Sequence, residues 1–174
     1  PTGVDLPGEA AGIVMNPSTV GPVELANMGF GQGVAVTPIQ LAAAASAIAN
    51  EGILMEPRIA LALKDQEGNT VHEFSPKVKR QVISPQTARA TMQILETVVS
   101  DGTGSNAYVP GFRVAGKTGT AQKVVDGRYV QGRYVASFVG IAPADDPRVV
   151  VLVVIDEPDP ANYYGGQIAA PVVG

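Results

Sequence analysis

The sequence contains no cysteine and a single histidine, His72. Without cysteine the chain can form no disulfide, and it can supply neither a thiolate nucleophile nor a cysteine-bound metal. The segment around His72, Thr-Val-His-Glu-Phe, predicts a surface strand, and a lone histidine lacks the partner ligands that zinc requires. We therefore expect no metal and no cofactor.

Basic clusters and long apolar runs are also scarce. The net charge is −4, and lysine and arginine cluster only at 77–80, so the stripe of positive charge that nucleic acid requires is missing. The sequence also contains no run of about 18 apolar residues, which a membrane-spanning helix would require. Nucleic acid is therefore not an expected partner.

The 174 residues match the size of one domain, and their 45% hydrophobic content is ordinary for a globular chain. The chain opens on Pro1-Thr2-Gly3 without an initiator methionine. We expect residues 1–174 to be part of a longer protein.

Helix signals occur twice, and both combine a capping hydroxyl with a following proline. Thr37, Pro38 and Gln40 form a capping box, and Gly52 is a plausible terminator. Ser84 and Pro85 begin the second helix, which Asp101-Gly102 ends. The predicted apolar faces are Leu41, Ala44, Ala45 and Ile48 in the first helix, and Ala88, Met92, Leu95 and Val99 in the second.

The remaining segments predict loops and strands. Residues 1–33 are rich in glycine and proline and predict extended loop. From Gly111 onward the pattern predicts only strands and turns, which favours antiparallel pairing. Seven consecutive apolar residues, Val149–Ile155, predict a strand buried on both faces. The predicted strands are Ile53–Met55, Ile59–Leu63, Val71–Phe74, Val78–Ile83, Phe112–Thr118, Tyr134–Ile141 and Val149–Ile155.

The run from Gly111 to Thr120 satisfies two incompatible motifs. Gly-Phe-Arg-Val-Ala-Gly-Lys-Thr fits the phosphate-binding P-loop pattern, whereas Lys117-Thr118-Gly119 is the Lys-Thr-Gly triplet of serine acyl-transferases that penicillin acylates. A P-loop needs a strand before its first glycine and a helix that begins at Lys-Thr. Here the residues before Lys117 predict a strand and those after it predict turns, so we favour the acyl-transfer interpretation. The glycines at 29–33 lack the spacing and the preceding strand of a dinucleotide site.

On the acyl-transfer interpretation each residue of the motif has a role. Lys117 supplies fixed positive charge for a substrate carboxylate, and Gly119 allows close approach of a substrate backbone. Thr118 and Thr120 supply hydroxyl groups and amides.

Together with its neighbours, the triplet resembles the transpeptidase domain of class B penicillin-binding proteins, and the match covers almost the whole chain. The matching segments are Thr2-Gly3-Val4-Asp5-Leu6-Pro7-Gly8-Glu9, residues 31–41 (G-Q-G-V-A-V-T-P-I-Q-L), Gly102-Thr103-Gly104, residues 114–122 (V-A-G-K-T-G-T-A-Q), residues 137–144 (S-F-V-G-I-A-P-A), Tyr164-Gly165-Gly166 and Ala169-Ala170-Pro171. The resemblance implies an α+β fold in which helices flank an antiparallel sheet. It implies that residues 1–174 form the C-terminal portion of a single transpeptidase domain, without that domain's N-terminal part.

The resemblance also implies a mechanism. A serine activated by the lysine of a Ser-x-x-Lys motif attacks a D-Ala-D-Ala stem peptide, and an amine from a neighbouring stem peptide resolves the acyl-enzyme into a cross-link. β-Lactams imitate the donor peptide. By the same match, Lys117, Thr118 and Thr120 hold the substrate carboxylate, and the Thr120 N–H is half of an oxyanion hole.

The chain departs from the family at the nucleophile. No serine is followed three residues later by lysine, and neither Ser-x-Asn nor Ser-Asp-Asn occurs. We therefore expect residues 1–174 to form one wall of an active site and to be inactive alone. The alternatives are a non-catalytic binding or scaffold module on the same fold and, more remotely, a P-loop nucleotide-binding protein.

The resemblance implies the partners and the location of the parent protein. Stem peptides of peptidoglycan, β-lactams and other cell-wall synthesis proteins are the expected partners, at the outer face of the cytoplasmic membrane. Membrane contact is expected only through an N-terminal anchor outside residues 1–174. The resemblance further implies that the Val149–Ile155 strand presents an open edge. We expect the isolated chain either to self-associate through this edge or to have it covered by another chain or by upstream residues.

Overall fold

The computed structural model of the chain describes residues 1–29 and 31–174. Its α-helices are α1 (Pro22–Gly29), α2 (Pro38–Ala49), α3 (Pro85–Ser100), α4 (Gly165–Ile168) and α5 (Ala170–Val173). Its strands are β1 (Ile53–Met55), β2 (Ala62–Lys64), β3 (Thr70–Glu73), β4 (Val78–Gln81), β5 (Ala115–Val125), β6 (Arg128–Ala142) and β7 (Val149–Asp156). Short 3-10 helices lie at Pro17–Thr19 and Ser105–Ala107.

The strands form antiparallel sheets of different sizes. In the described residues β1 pairs with β4, β2 pairs with β3, and the largest sheet has the order β5-β6-β7. This α+β architecture with antiparallel pairing confirms the predicted fold class. Strand β6 is central, so within residues 1–29 and 31–174 β5 has a neighbouring strand on one side only.

Helix α2 begins at the predicted capping box. The Thr37 hydroxyl accepts from the Gln40 N–H at 3.3 Å, and the Gln40 side chain accepts from the Thr37 N–H at 2.9 Å. The predicted apolar face is partly wrong: Ala45 and Ala47 are buried, whereas Ala44 is exposed. The helix packs against α3, β1 and β7 at once, so burial does not follow one narrow stripe.

Helix α3 forms as predicted and contributes a buried side chain to each of two clusters of the hydrophobic core. The Ser84 hydroxyl caps it by accepting from the Thr87 N–H at 3.1 Å. Met92 packs with Ala115 and Ile141, while Val99 packs near Phe138. The buried residues along the helix are Ala88, Met92 and Val99, which confirms most of the predicted face.

Two predictions of irregular structure are wrong. Residues 1–33, predicted as extended loop, contain α1, and the segment after Gly111, predicted as strand and turn only, contains α4 and α5. Helix α1 begins at a proline, and the Glu24 carboxylate accepts from the Gly21 N–H at 3.1 Å. Helices α4 and α5 have four residues each, which is too short for a periodic signal.

Burial of the last strand also differs from the prediction. Val149 is 54% exposed, Val151 39% and Val154 41%. The strand lies at the edge of the described sheet, opposite β5, and the described helices cover only part of it. Continuous apolar sequence therefore does not correspond here to burial on both faces.

Within residues 1–29 and 31–174, no helix has both the length and the hydrophobicity needed to cross a bilayer. The same residues contain no group of three or more His, Asp or Glu side chains placed to bind a metal ion.

Candidate active site

Strand β5 carries Lys117, Thr118, Gly119 and Thr120 at an edge of the sheet. The antiparallel register places these residues opposite Val139, Phe138, Ser137 and Ala136 of β6, respectively. Because side chains alternate along a strand, Lys117 and Gly119 face one side of the sheet and both threonines face the other.

The motif lies inside a strand, which contradicts the P-loop alternative. A P-loop places Lys-Thr at the N-terminus of a helix, where helix amides bind phosphate. In this chain Lys117 and Thr118 are flanked by β5 residues on both sides, and β5 continues to Val125. In the glycine cluster at 29–33, Phe30 lies outside the described residues.

Lys117 presents an exposed cation. Its ammonium group donates to the Thr118 carbonyl oxygen at 2.8 Å and approaches Thr118 Oγ1 at 3.4 Å. Within the described part of the chain, no carboxylate lies within salt-bridge distance of this nitrogen. Its charge therefore remains available to an anionic ligand.

Both threonines of the motif are held from the face of the sheet opposite Lys117. Thr103, in the turn after α3, has its hydroxyl oxygen 3.3 Å from that of Thr118. The Gly165 N–H, in the first turn of α4, donates to Thr120 Oγ1 at 3.1 Å. The turn after α3 and the start of α4 thus fix the hydroxyl groups before any ligand arrives.

Three glycines allow this close packing. A methyl group on Gly119 would overlap the Ser137 hydroxyl, and one on Gly165 would overlap the carbonyl oxygens of Ser137 and Gly119. A methyl group on Gly166 would overlap the carbonyl oxygen of Thr103. The sequence predicted a role only for Gly119, as a place of close approach for a substrate backbone.

A stack of three tyrosines lies beside the strand, further along from Thr120. The Tyr134 and Tyr163 rings are 3.9 Å apart between centroids and nearly parallel, and the Tyr163 and Tyr164 rings are 4.5 Å apart. Tyr163 donates a hydrogen bond to the Tyr164 hydroxyl, which, together with burial, raises the pKa of Tyr163 to about 12. Tyr163 therefore stays neutral at physiological pH, and the stacked rings offer an apolar, partly exposed wall. The tyrosine stack was not predicted from the sequence, where its only signal is the Tyr-Tyr pair before Gly165-Gly166.

The far end of β5 carries an ion cluster. The Lys123 ammonium lies 2.9 Å from Asp156 and 2.8 Å from Glu157, and Arg133 also pairs with Glu157. Hydrogen bonds to Glu157 and Asp156 raise the pKa of Lys123, and those from Lys123 and Arg133 lower the pKa of Glu157. This cluster joins β5 to β7 across β6.

A family described as the penicillin-binding protein transpeptidase domain matches residues 1–174, which is the whole chain. The chain belongs to the penicillin-binding protein transpeptidase family. This membership confirms the resemblance found in the sequence.

Curated relatives and solved structures agree with this assignment. Stage V sporulation protein D of Bacillus subtilis is 52% identical over 99% of this chain, and the probable peptidoglycan D,D-transpeptidase PenA of Neisseria gonorrhoeae is 41% identical over 95%. The chain spans 27% of the length of each of these two relatives. Penicillin-binding protein 3 from Mycobacterium tuberculosis, solved in complex with aztreonam, superposes with a TM-score of 0.85 at 39% identity, covering 99% of this chain and 40% of that one.

Proposed function

We propose that, in the full-length protein, residues 1–174 form the carboxylate-binding wall of a serine D,D-transpeptidase active site and are the C-terminal portion of that domain. The observation that carries the proposal is the exposed Lys117 cation on an edge strand, free of any carboxylate partner in the described residues and followed by two hydroxyl groups held in place. Because the cation and the hydroxyl groups are already in place, a substrate carboxylate could replace water here with little rearrangement of the protein.

The edge position of β5 suggests how a peptide binds. In an antiparallel sheet the N–H and C=O groups of an edge strand that do not face its neighbour point outward. An extended stem peptide, or a β-lactam that imitates it, can pair with these groups as an added strand. The peptide would then lie along β5 with its terminal carboxylate at Lys117, Thr118 and Thr120.

The acyl-transfer step needs groups that these residues do not contain. The nucleophilic serine and the lysine that activates it belong to a Ser-x-x-Lys motif, which is absent from the 174 residues. In the proposed reaction that serine attacks the peptide carbonyl, the terminal D-Ala leaves, and an acceptor amine forms the cross-link. Thr120 contributes its N–H to the oxyanion that develops on the carbonyl oxygen.

The environment of the protein follows from the same proposal. The relative from Neisseria gonorrhoeae is named as a probable peptidoglycan D,D-transpeptidase, and the Mycobacterium tuberculosis neighbour is named as a penicillin-binding protein. We infer that the full-length protein acts in the cell envelope, at the outer face of the cytoplasmic membrane, together with other cell-wall synthesis proteins.

The proposal is tested by covalent labelling. We expect the full-length protein to form a stoichiometric adduct with a labelled penicillin in intact-protein mass spectrometry, because it supplies the serine. We expect residues 1–174 alone to form none. A stoichiometric adduct on the isolated chain contradicts the assignment of the nucleophile, and a full-length protein that never labels favours the non-catalytic module.

A further inference from the structure

Thr120 is held by a backbone group that is itself held by a distant side chain. The Gly165 N–H donates to Thr120 Oγ1 at 3.1 Å. The carbonyl oxygen of the next residue, Gly166, accepts a hydrogen bond from Asn106 Nδ2 at 2.8 Å. Asn106 lies in the short helix Ser105–Ala107, far from Gly166 in sequence. It therefore fixes the first turn of α4, and that turn fixes the threonine hydroxyl.

Helix α4 depends on such outside contacts. It has only four residues, and its N-cap residue, Tyr164, makes no side-chain capping hydrogen bond. The first N–H groups and last carbonyls of a helix have no partner inside it, and so short a helix has little stability of its own. The Thr120 hydroxyl satisfies one of these N–H groups, and Asn106 satisfies one of the carbonyls.

The packing leaves little room for α4 to shift independently of β5. Gly165 lies directly against the carbonyl oxygens of Gly119 and Ser137, and Gly166 lies against that of Thr103. Ala169, at the end of the same turn, is completely buried. A displacement of this turn must therefore also disturb the hydrogen bond from the Gly165 N–H to the Thr120 hydroxyl.

Hydrogen-bond chemistry gives this arrangement a consequence for the reaction. A hydroxyl has one proton and two lone pairs. Because a lone pair of Thr120 Oγ1 accepts from Gly165, its proton is free to be donated in another direction, and no other side-chain hydrogen bond to this hydroxyl occurs in the described residues. Thr120 is exposed, so the direction left open is toward a ligand on β5.

We propose that Asn106 is a positioning residue for acyl transfer: through Gly166 and Gly165 it keeps the Thr120 hydroxyl oriented as a donor to the substrate carboxylate. The inference rests on the proposed function. Asn106 touches neither the substrate nor the reacting atoms, and its effect on the reaction passes entirely through Thr120.

The test compares two asparagines that make the same kind of bond. In the full-length protein, Asn106→Ala should slow acylation by a fluorescent penicillin about tenfold, less than the roughly 100-fold that a displacement of about 1 Å can cost. Asn50→Ala removes an equivalent bond, from Asn50 Nδ2 to the Ile53 carbonyl oxygen at 3.1 Å, at the end of α2. The Asn50 variant should acylate at the wild-type rate. Should Asn106→Ala fold poorly, Asn106→Asp keeps the size of the side chain, removes the donor and should slow acylation at least as much.

A double-mutant cycle separates positioning from general destabilisation. Thr120→Val removes the hydroxyl but keeps the shape, so in that background Asn106→Ala should have no further effect on the acylation rate. Independent, multiplying effects would show a merely structural role and overturn the inference, as would an Asn106→Ala rate equal to that of Asn50→Ala. Both of these outcomes leave the proposed function intact. A full-length protein that no penicillin acylates overturns the proposed function, and the inference with it.

Discussion

Strand β5 carries two lysines whose surroundings differ sharply. Lys117 is exposed, and its ammonium donates only to the adjacent Thr118, without a carboxylate within salt-bridge distance in the described residues. Lys123, further along the same strand, is bound by Asp156 and Glu157, and its side chain is only 25% exposed. One strand thus holds an available cation at one end and a neutralised cation at the other.

Under the proposed function, this difference separates a binding role for Lys117 from a structural role for Lys123. The charge of Lys123 is balanced by Asp156 at the end of β7 and by Glu157 directly after it, so Lys123 joins strands and offers little attraction to a further anion. No carboxylate in the described residues balances the charge of Lys117, and under the proposed function a peptide added to the edge of β5 would end there. We expect perturbations at the two ends to have different consequences.

The largest expected effect comes from removing each lysine in turn. In the full-length protein, Lys117→Ala should slow penicillin acylation by roughly 100-fold or more, the scale of losing one preorganised electrostatic contact. Lys123→Ala should leave the rate within about a factor of three, since the charge of Lys123 is already balanced by Asp156 and Glu157 and attracts no further anion. Stopped-flow fluorescence measures both rates. Equal rates for the two variants would remove the distinction between the ends and would show that Lys117 does not contact the carboxylate.

A second effect concerns the packing behind the Lys117 end. Gly165→Ala places a methyl group against the carbonyl oxygens of Ser137 and Gly119, so it should destabilise the protein by about 1–3 kcal/mol, as overpacking does. Gly29→Ala, where no atom of the described residues lies within 4 Å of the added carbon, is the control and should not destabilise the protein. Urea denaturation measures both. A neutral Gly165→Ala would mean that α4 is not held tightly against β5.

The sequence was sufficient for the features that local chemistry determines. Thr37 and Ser84 mark the beginnings of α2 and α3. Each hydroxyl accepts a hydrogen bond from the N–H three residues later, so the cap depends on local sequence alone. The strand around Lys117 was also predictable, although β5 begins at Ala115 and continues to Val125, beyond the predicted range Phe112–Thr118. Features that depend only on residues close together in the sequence can therefore be predicted from it.

The rest of the site depends on contacts between distant segments. Asn106 and Gly166 are 60 residues apart, and Gly165 lies 45 residues from Thr120. The stack of Tyr134 on Tyr163 likewise joins β6 to the segment before α4. Helices α4 and α5 follow from burial of Ala169 and Ala170 rather than from any periodic pattern. No local signal specifies such contacts.

A third test compares the two edges of the sheet instead of the two ends of β5. The outer edge of β7 has exposed valines and, in the described residues, no neighbouring strand, so we expect the isolated chain to self-associate there. Light scattering should show mass increasing with concentration. Val151→Lys should abolish the increase, whereas Val124→Lys, at another exposed valine near the β5–β6 turn, should not. A monomer at all concentrations would contradict edge pairing.

The smallest expected effect is the pH response of the ion cluster at the Lys123 end. Because Lys123 and Arg133 lower the pKa of Glu157 below its ordinary 4.5, the contribution of this carboxylate is complete above that value and is lost as pH falls through the lower folded pKa. The raised pKa of Lys123 acts at the opposite extreme: its contribution is complete below the ordinary 10.5 and is lost only as pH rises through the folded value. The cluster should therefore be insensitive to pH between these limits.

Amide hydrogen exchange, corrected for its intrinsic pH dependence, can detect this response. As pH falls below 4.5 and through the lower folded pKa of Glu157, exchange should accelerate modestly in the hairpin that joins β5 to β6, because Glu157 loses its charge there. Exchange around Lys117 should not respond, because no carboxylate in the described residues pairs with it. Glu157→Gln should show the faster exchange at neutral pH and little further change in acid. If the Lys117 end responded to acid as strongly as the Lys123 end, the two lysines would share one electrostatic environment, and the separation of roles along β5 would be wrong.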